Sequence, residues 1–199
     1  ILSERDPGSG ALLFRNRYNS AFSDRVTFFK VDDVKAGFTT DRSEFIGRNG
    51  NLSNPEALQR IRLSGKSGAG MDICAALQVK FDLLNGAEKV ITFQMGNESN
   101  TQAANELILK FNNSEFVQQS FADVKEYWNE ITGKLQVNTP NSSLNILANG
   151  WLNYQTIACR IYARSGFYQS GGAFGFRDQL QDVLSLLHIR PEMVKSQIL

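Results

Sequence analysis

The sequence predicts an α+β protein in which strands precede helices. Two observations carry that prediction. The segment Leu77, Val79, Phe81, Leu83 alternates with Gln78, Lys80, Asp82, the period of two of a half-buried strand. Past residue 100 the period becomes helical, with Ala104, Leu107, Ile108 and Phe111 at i, i+3, i+4 and i+7. A shift of this kind suggests two domains, or a sheet domain joined by a helical linker to the start of a helical one.

Each element has its own signal. Arg25–Val31 carries Val26, Phe28, Phe29 and Val31 and reads as a strand. Gly37–Ile46 places Phe38, Thr39, Thr40, Phe45 and Ile46 around the charged centre Asp41-Arg42-Ser43-Glu44. Ser64–Gly70 reads as a flexible glycine-rich loop. Asn85-Gly86 marks a turn, so Leu77–Met95 is expected to be a hairpin in an antiparallel sheet or sandwich. Ser114 is expected to cap a helix carrying Val117, Phe121, Val124, Trp128 and Ile131, with Gly133 after it. Thr139-Pro140 is an N-cap and N1 pair, predicting a long helix from there to about Arg164. A glycine-rich loop then spans Ser165–Gly175. A further helix carries Phe176, Leu180, Val183, Leu184 and Leu187, and Pro191 stops it or starts another.

Composition narrows the function classes. The 199 residues are 42% hydrophobic and 21% charged, which excludes wholesale disorder. Lys plus Arg is 21 against 20 for Asp plus Glu, a net charge of +1. That balance argues against a nucleic-acid binder held by a basic face and against a polybasic membrane anchor. No stretch approaches the roughly 18 apolar residues of a membrane span. The two cysteines, Cys74 and Cys159, lie far apart without a CxxC, so neither a disulfide framework nor a cysteine zinc site is expected. A reducing compartment is the simplest reading of so few cysteines. His188, the single histidine, removes polyhistidine metal sites and reads as a dipole contact near a helix C-terminus. The chain starts at Ile1 and stops inside a helix-like run, which suggests a piece of a longer protein.

The densest chemistry lies in Ser165–Asp182. Its glycines let a backbone approach a ligand, and Phe167, Tyr168, Phe174 and Phe176 offer flat apolar faces. Gln169, Arg177, Asp178, Gln181 and Asp182 offer donors and acceptors. A sugar needs that mixture, because its hydroxyls want paired hydrogen bonds and its C–H face wants an aromatic wall. A helix N-terminus with Asp178 on the dipole and Arg177 in a local ion pair explains the same residues. No phosphate-binding GxGxxG or GxxxxGK[ST] is present. Asp41–Glu44, followed by Gly47-Arg48-Asn49-Gly50, is a second polar cluster, read as a solvated loop with local ion pairs or as an arm reaching a site. Cys74 and Cys159 read as core, as do Phe121, Trp128, Trp151 and Tyr154, whose helical spacing is that of packed residues. Trp128-Asn129-Glu130 reads as surface helix.

These residues carry a resemblance. Asn149–Thr156, Cys159-Arg160, Phe167–Gly172 and Gly175–Asp182 resemble the glycoside hydrolase family 94 phosphorylases. Within that family they look like the phosphorylase-like region of cyclic β-1,2-glucan synthases and the 1,2-β-oligoglucan phosphorylases. Asp41–Gly50 and Val137–Pro140 look like the same family, and the resemblance covers most of residues 38 to 190. It implies the end of an antiparallel β-sandwich in residues 1–100, a helical linker in 101–136, and the first helices of an (α/α)6 catalytic barrel in 137–199.

The implied activity is reversible phosphorolysis, or synthesis, of β-glucosidic bonds with inversion through glucose 1-phosphate. Inorganic phosphate is the co-substrate, with no further cofactor and no metal. The resemblance assigns donor-sugar contacts to Arg177 and Asp182, and with them to Asp178, Gln169 and Tyr168. Inverting chemistry with phosphate as nucleophile needs one protein carboxylic acid on the glycosidic oxygen. The family carries it in a Gly-Asp-Trp-Asn-Asp type of motif, which these 199 residues do not contain. The expected partners are β-glucan oligosaccharide, glucose 1-phosphate and phosphate, with no nucleic acid, no membrane contact by this segment, and homo-oligomer formation open. The location implied is cytoplasmic, or the soluble part of an inner-membrane protein. Two other classes fit the residues alone: a stand-alone, non-catalytic carbohydrate-binding protein, and a scaffold reusing the fold.

Overall fold

A computed structural model describes residues 1–18, 20, 22–162 and 176–199, with 176, 178 and 179 by backbone only. The chain forms two compact units, Ile1–Phe116 and Val117–Leu199.

The first unit holds two antiparallel sheets. Strands β1 (Leu2–Arg5), β2 (Leu12–Arg15), β3 (Val26–Val31) and β6 (Phe93–Glu98) form one, in the order β1-β2-β3-β6. Strands β4 (Gly37–Asp41) and β5 (Ile73–Gln78) form the other. Alternation along β3 sends Val26 and Phe28 to one face. There they pack with Ala11 and Leu13 against Ala104 and Ile108 of helix α2 (Thr101–Phe111). The 3.6-residue stripe thus covers the sheet, and Asn100 caps α2 by accepting from the Ala103 N–H at 2.9 Å. Gly96 of β6 lies across from Phe28, where a Cβ would come within 2.6 Å of the ring.

The expected Leu77–Met95 hairpin does not form. β5 pairs with β4, placing Leu77 opposite Phe38, while β6 pairs with β3, placing Met95 opposite Phe29. Period two says which side chains share a face, not which distant edge the strand joins. Here Gln78 ends β5 by accepting from the Leu63 N–H and donating to the Arg60 carbonyl, both at 3.0 Å. Phe81 and Leu83 beyond it remain exposed, at 47% and 54%.

The Ser64–Gly70 loop is tied down along its length, contrary to its flexible composition. The Gly65 N–H donates to the Phe38 carbonyl (2.8 Å) and the Thr40 N–H to the Lys66 carbonyl (2.9 Å). Further on, the Ser3 N–H donates to the Gly68 carbonyl (3.0 Å), and the Gly68 N–H donates back to Ser3 Oγ (3.0 Å). The loop therefore bridges β1 of one sheet and β4 of the other.

The second unit is helical. Helix α3 (Ser114–Gly133) enters it, and α4 (Ser142–Ile146), α5 (Leu152–Gln155), α6 (Phe176–Leu184) and α7 (Pro191–Ile198) follow. Ile131, Ile157, Val183, Leu186, Ile189 and Val194 form its core, flanked by Tyr127, Trp128, Ile161 and Met193. Pro191 starts α7, and His188 is exposed in the turn before it. Trp128 is half-buried beside the core, whereas Phe121 and Trp151 are exposed, at 58% and 53%. Helical spacing predicts an apolar face but not what the face meets. Cys159, also expected in the core, is exposed, because the helix presents Ile157 and Ile161 inward instead.

Two helix starts shift by one or two residues. Asn113, not Ser114, accepts from the Glu115 N–H at 2.9 Å, and Asn141, not Thr139, accepts from the Ser143 N–H at 3.0 Å. Thr139 is diverted: its Oγ1 donates to Asn145 Oδ1 at 2.8 Å, and Asn145 Nδ2 donates to the Thr139 carbonyl at 3.0 Å. Asn149 holds Val137 in the same two-way manner, at 2.6 and 2.8 Å.

The single long helix expected from Thr139 is broken at Asn149-Gly150. Gly150 has φ 145°, ψ −42°, and its missing Cβ leaves room for Thr132 of α3. Past it, Thr156–Tyr162 winds with the broader, i→i+5 turn of a π-helix. The Ser165–Gly175 loop lies outside the described residues. Among the described residues, no helix is long and apolar enough to cross a membrane.

Replacing Gly150 by Ala is expected to cost about 1–3 kcal/mol, the usual range for a side chain forced into a glycine-only conformation. Gly133→Ala, whose Cβ would meet nothing within 4 Å, serves as the near-neutral control. Urea-unfolding midpoints of the two variants check this.

Candidate functional site

Among the described residues, the shortest charged contact of the helical unit joins Arg160 to Asp182. Arg160 Nε donates to Asp182 Oδ2 at 2.8 Å, and Nη2 lies 2.8 Å from the same oxygen. Arg160 stands on the wide π-turn and Asp182 on α6. Their neighbours Ile157 and Val183 are both fully buried in one core, so that core sets the spacing of the pair. Both charged side chains keep partial access to solvent, at 32% and 25%. An anchored, partly open carboxylate can accept hydrogen bonds from a hydroxylated ligand.

The other residues predicted for the sugar site are placed as follows. Arg177 is exposed on the first turn of α6. Asp178 follows it in the same turn. Tyr168 and Gln169 lie outside the described residues. Arg160, which sequence reasoning left without a role, is the partner of Asp182 that it missed; the signal was its place in the Cys159-Arg160 motif.

The second polar cluster is not a solvated loop. Asp41 caps α1 (Arg42–Ile46) by accepting from the Ser43 N–H at 3.0 Å, and Gly47 with φ 85° ends the helix. Asp41 and Glu44 are buried, at 8% and 7% exposed. Glu44 accepts from Thr39 Oγ1 (2.6 Å), Ser64 N–H (2.8 Å) and Ser64 Oγ (2.6 Å), with Arg60 Nη1 at 3.6 Å. Burial pushes the Glu44 carboxyl up, but the hydrogen bonds from Ser64 and Thr39 outweigh it and leave the pKa below its ordinary 4.5. The Lys66 ammonium, 2.9 Å from Asp41, holds that carboxyl low as well. Outside this network, Arg42 and Arg48 line an open groove of about 850 Å³ with Leu52 and Asp72. Cys74 is half-buried against Ala57, Leu63 and Ala76, and burial pushes its thiol up, away from a nucleophilic thiolate.

Glu130 on α3 sits 3.1 Å from Lys134 and 3.6 Å from Arg190, and the Lys134 hydrogen bond holds its carboxyl low. That suits an ion-paired surface position rather than a general acid, whose pKa must be raised.

Antiparallel sheets followed by a helical unit with a half-buried charged pair define a mixed α and β protein in two parts. The chain belongs to glycosyl hydrolase family 94, a family of carbohydrate-active enzymes. Its supersandwich-domain model matches residues 1–114, and the family's superfamily catalytic-domain model matches residues 127–199. The cyclic beta-(1,2)-glucan synthase NdvB of Rhizobium meliloti is 38% identical over 100% of this chain and 7% of its own length. The N,N'-diacetylchitobiose phosphorylase of Vibrio furnissii is 28% identical over 91% of the chain and 24% of its own length. The solabiose phosphorylase of Paenibacillus borealis is 27% identical over 85% and 22%. The chain thus spans a quarter or less of each of these relatives.

The depressed carboxylates make unit 1 acid-sensitive. A carboxyl whose pKa is lower folded than unfolded adds stability above its unfolded pKa, and that stability drains as pH falls through the folded value. Stability should therefore decline as pH drops below about 4.5. Glu44→Gln is expected to cost about 1–3 kcal/mol at pH 7, and the gap to wild type should narrow on acidification. Unfolding midpoints between pH 7 and about 3 measure both effects.

Proposed function

We propose that the chain is part of an inverting, phosphate-dependent enzyme that breaks or builds β-glucosidic bonds, β-1,2-linked ones in particular, through glucose 1-phosphate. The observation that carries this reading is the alignment of the whole chain with a cyclic beta-(1,2)-glucan synthase at 38% identity. Two phosphorylases among its relatives support a sugar and phosphate as the substrates.

In this reading residues 1–100 belong to the β-sandwich, 101–136 to a helical linker, and 137–199 begin the (α/α)6 barrel. Arg177 and Asp182 bind the donor-site sugar, with Asp178, Gln169 and Tyr168 beside them. Asp182 accepts from sugar hydroxyls, and the exposed Arg177 guanidinium donates to hydroxyl or phosphate oxygens. Phosphate attacks the anomeric carbon from the face opposite the leaving oxygen, so a single carboxylic acid completes the chemistry. That acid requires a raised pKa, which neither Glu44 nor Glu130 has. The Gly-Asp-Trp-Asn-Asp type of motif expected to carry it does not occur in these 199 residues, so the acid is assigned to another part of the protein.

The 199-residue chain alone is expected to release no glucose 1-phosphate from a β-1,2-linked glucose disaccharide and inorganic phosphate. In the full-length protein, Arg177→Ala should lower kcat/KM about 10- to 100-fold, the worth of a charge-assisted hydrogen bond. Wild-type activity of that variant would overturn the assignment of Arg177. Glucan binding by the full-length protein without phosphorolysis or synthesis would support a non-catalytic carbohydrate-binding protein instead.

A further inference from the structure

We infer that Arg160 is a positioning residue: it grips one oxygen of Asp182, so that the other is presented to a hydroxyl of the donor-site sugar. The inference rests on the proposed role of Asp182 as a sugar-binding carboxylate. A carboxylate has two oxygens and about four acceptor sites. Arg160 brings two nitrogens, Nε and Nη2, to a single oxygen, Oδ2, each at 2.8 Å. Two rigid donors on one atom restrict the side-chain rotation that would otherwise blur the direction of Oδ1.

The supports of the pair point the same way. Ile157 and Ile161 flank Arg160 and pack in the core that also holds Val183, the residue after Asp182. Both charges are thus fixed to one rigid body while keeping partial solvent access. The π-helical turn Thr156–Tyr162 is a second observation. It sets side-chain directions that regular α-helical winding would not, and such wide turns recur at functional sites. A plain surface ion pair requires none of these features.

The test uses the full-length protein with a β-1,2-linked glucose disaccharide and inorganic phosphate, and the reverse reaction with glucose 1-phosphate. Variants are Arg160→Met, Arg160→Lys, Asp182→Asn and the Met/Asn double variant. Loss of positioning predicts that Arg160→Met lowers kcat/KM about 10²-fold. KM for glucose 1-phosphate should rise while KM for phosphate stays in place. Arg160→Lys should recover part of the loss, since it restores the charge but not the fork. The double variant should be no worse than Asp182→Asn alone, because the proposed effect of Arg160 on the sugar runs through that carboxylate. If Arg160→Met melts early, Arg160→Lys carries the comparison.

Wild-type kinetics in both Arg160 variants, with Asp182→Asn impaired, would overturn the inference and leave the donor-site reading standing. Losses that multiply in the double variant would overturn it too. An unimpaired Asp182→Asn enzyme would remove the donor-site reading itself.

Discussion

A carboxylate taken out of water must be met by donors, and the loop organisation of the first unit depends on how Glu44 is met. Its side chain is almost wholly buried and receives three hydrogen bonds from Thr39 and Ser64. Those donors come from a strand and from the start of the glycine-rich loop, so satisfying one charge draws that loop onto β4. From there the loop runs to Ser3, whose Oγ lies 2.7 Å from Thr40 Oγ1 and joins the two sheets. An unmet buried charge costs several kcal/mol, enough to select one path for a segment whose composition permits many.

In the helical unit a backbone exception plays the comparable part. Gly150 interrupts what would be one helix, and only glycine fits both its φ of 145° and the approach of Thr132. The chain beyond this break carries Ile157 into the core and Arg160 toward Asp182. A straight helix from Asn141 would send these side chains elsewhere, since each residue turns the direction by about 100°. Asn145 and Asn149 brace the break by bonding the preceding segment through both amide groups.

What could be read from the sequence was local. The stripe Ala104, Leu107, Ile108, Phe111 fixes α2, because partners four residues apart are set by the helix itself. The strands of Val26–Val31 and Leu77 were visible for the same reason. Their pairing was not: β3 meets β6 across some 70 residues, and no periodicity within either strand encodes that choice. Thr139 and Ser114 looked like caps because they are good ones, yet Asn141 and Asn113 hold those places. At the site, the Arg177–Asp182 motif stood out as a contiguous run. Arg160 did not, since its meaning comes from a residue 22 positions away on a different helix.

That separation bears on how such a site keeps its geometry. Val183 and Ile157 are each fully buried, and each lies within three residues of one member of the ion pair. Rotating α6 by a single residue would swing Asp182 by about 100° and expose Val183 together. Core packing and carboxylate orientation are therefore coupled, and a substitution that loosens Val183 or Ile157 disturbs the charge pair without touching it. Because interiors are close-packed, such a shift cannot be absorbed gradually. The apolar side chains behind the pair thus act as determinants of where the carboxylate points, and stability and site geometry in this unit share the same residues.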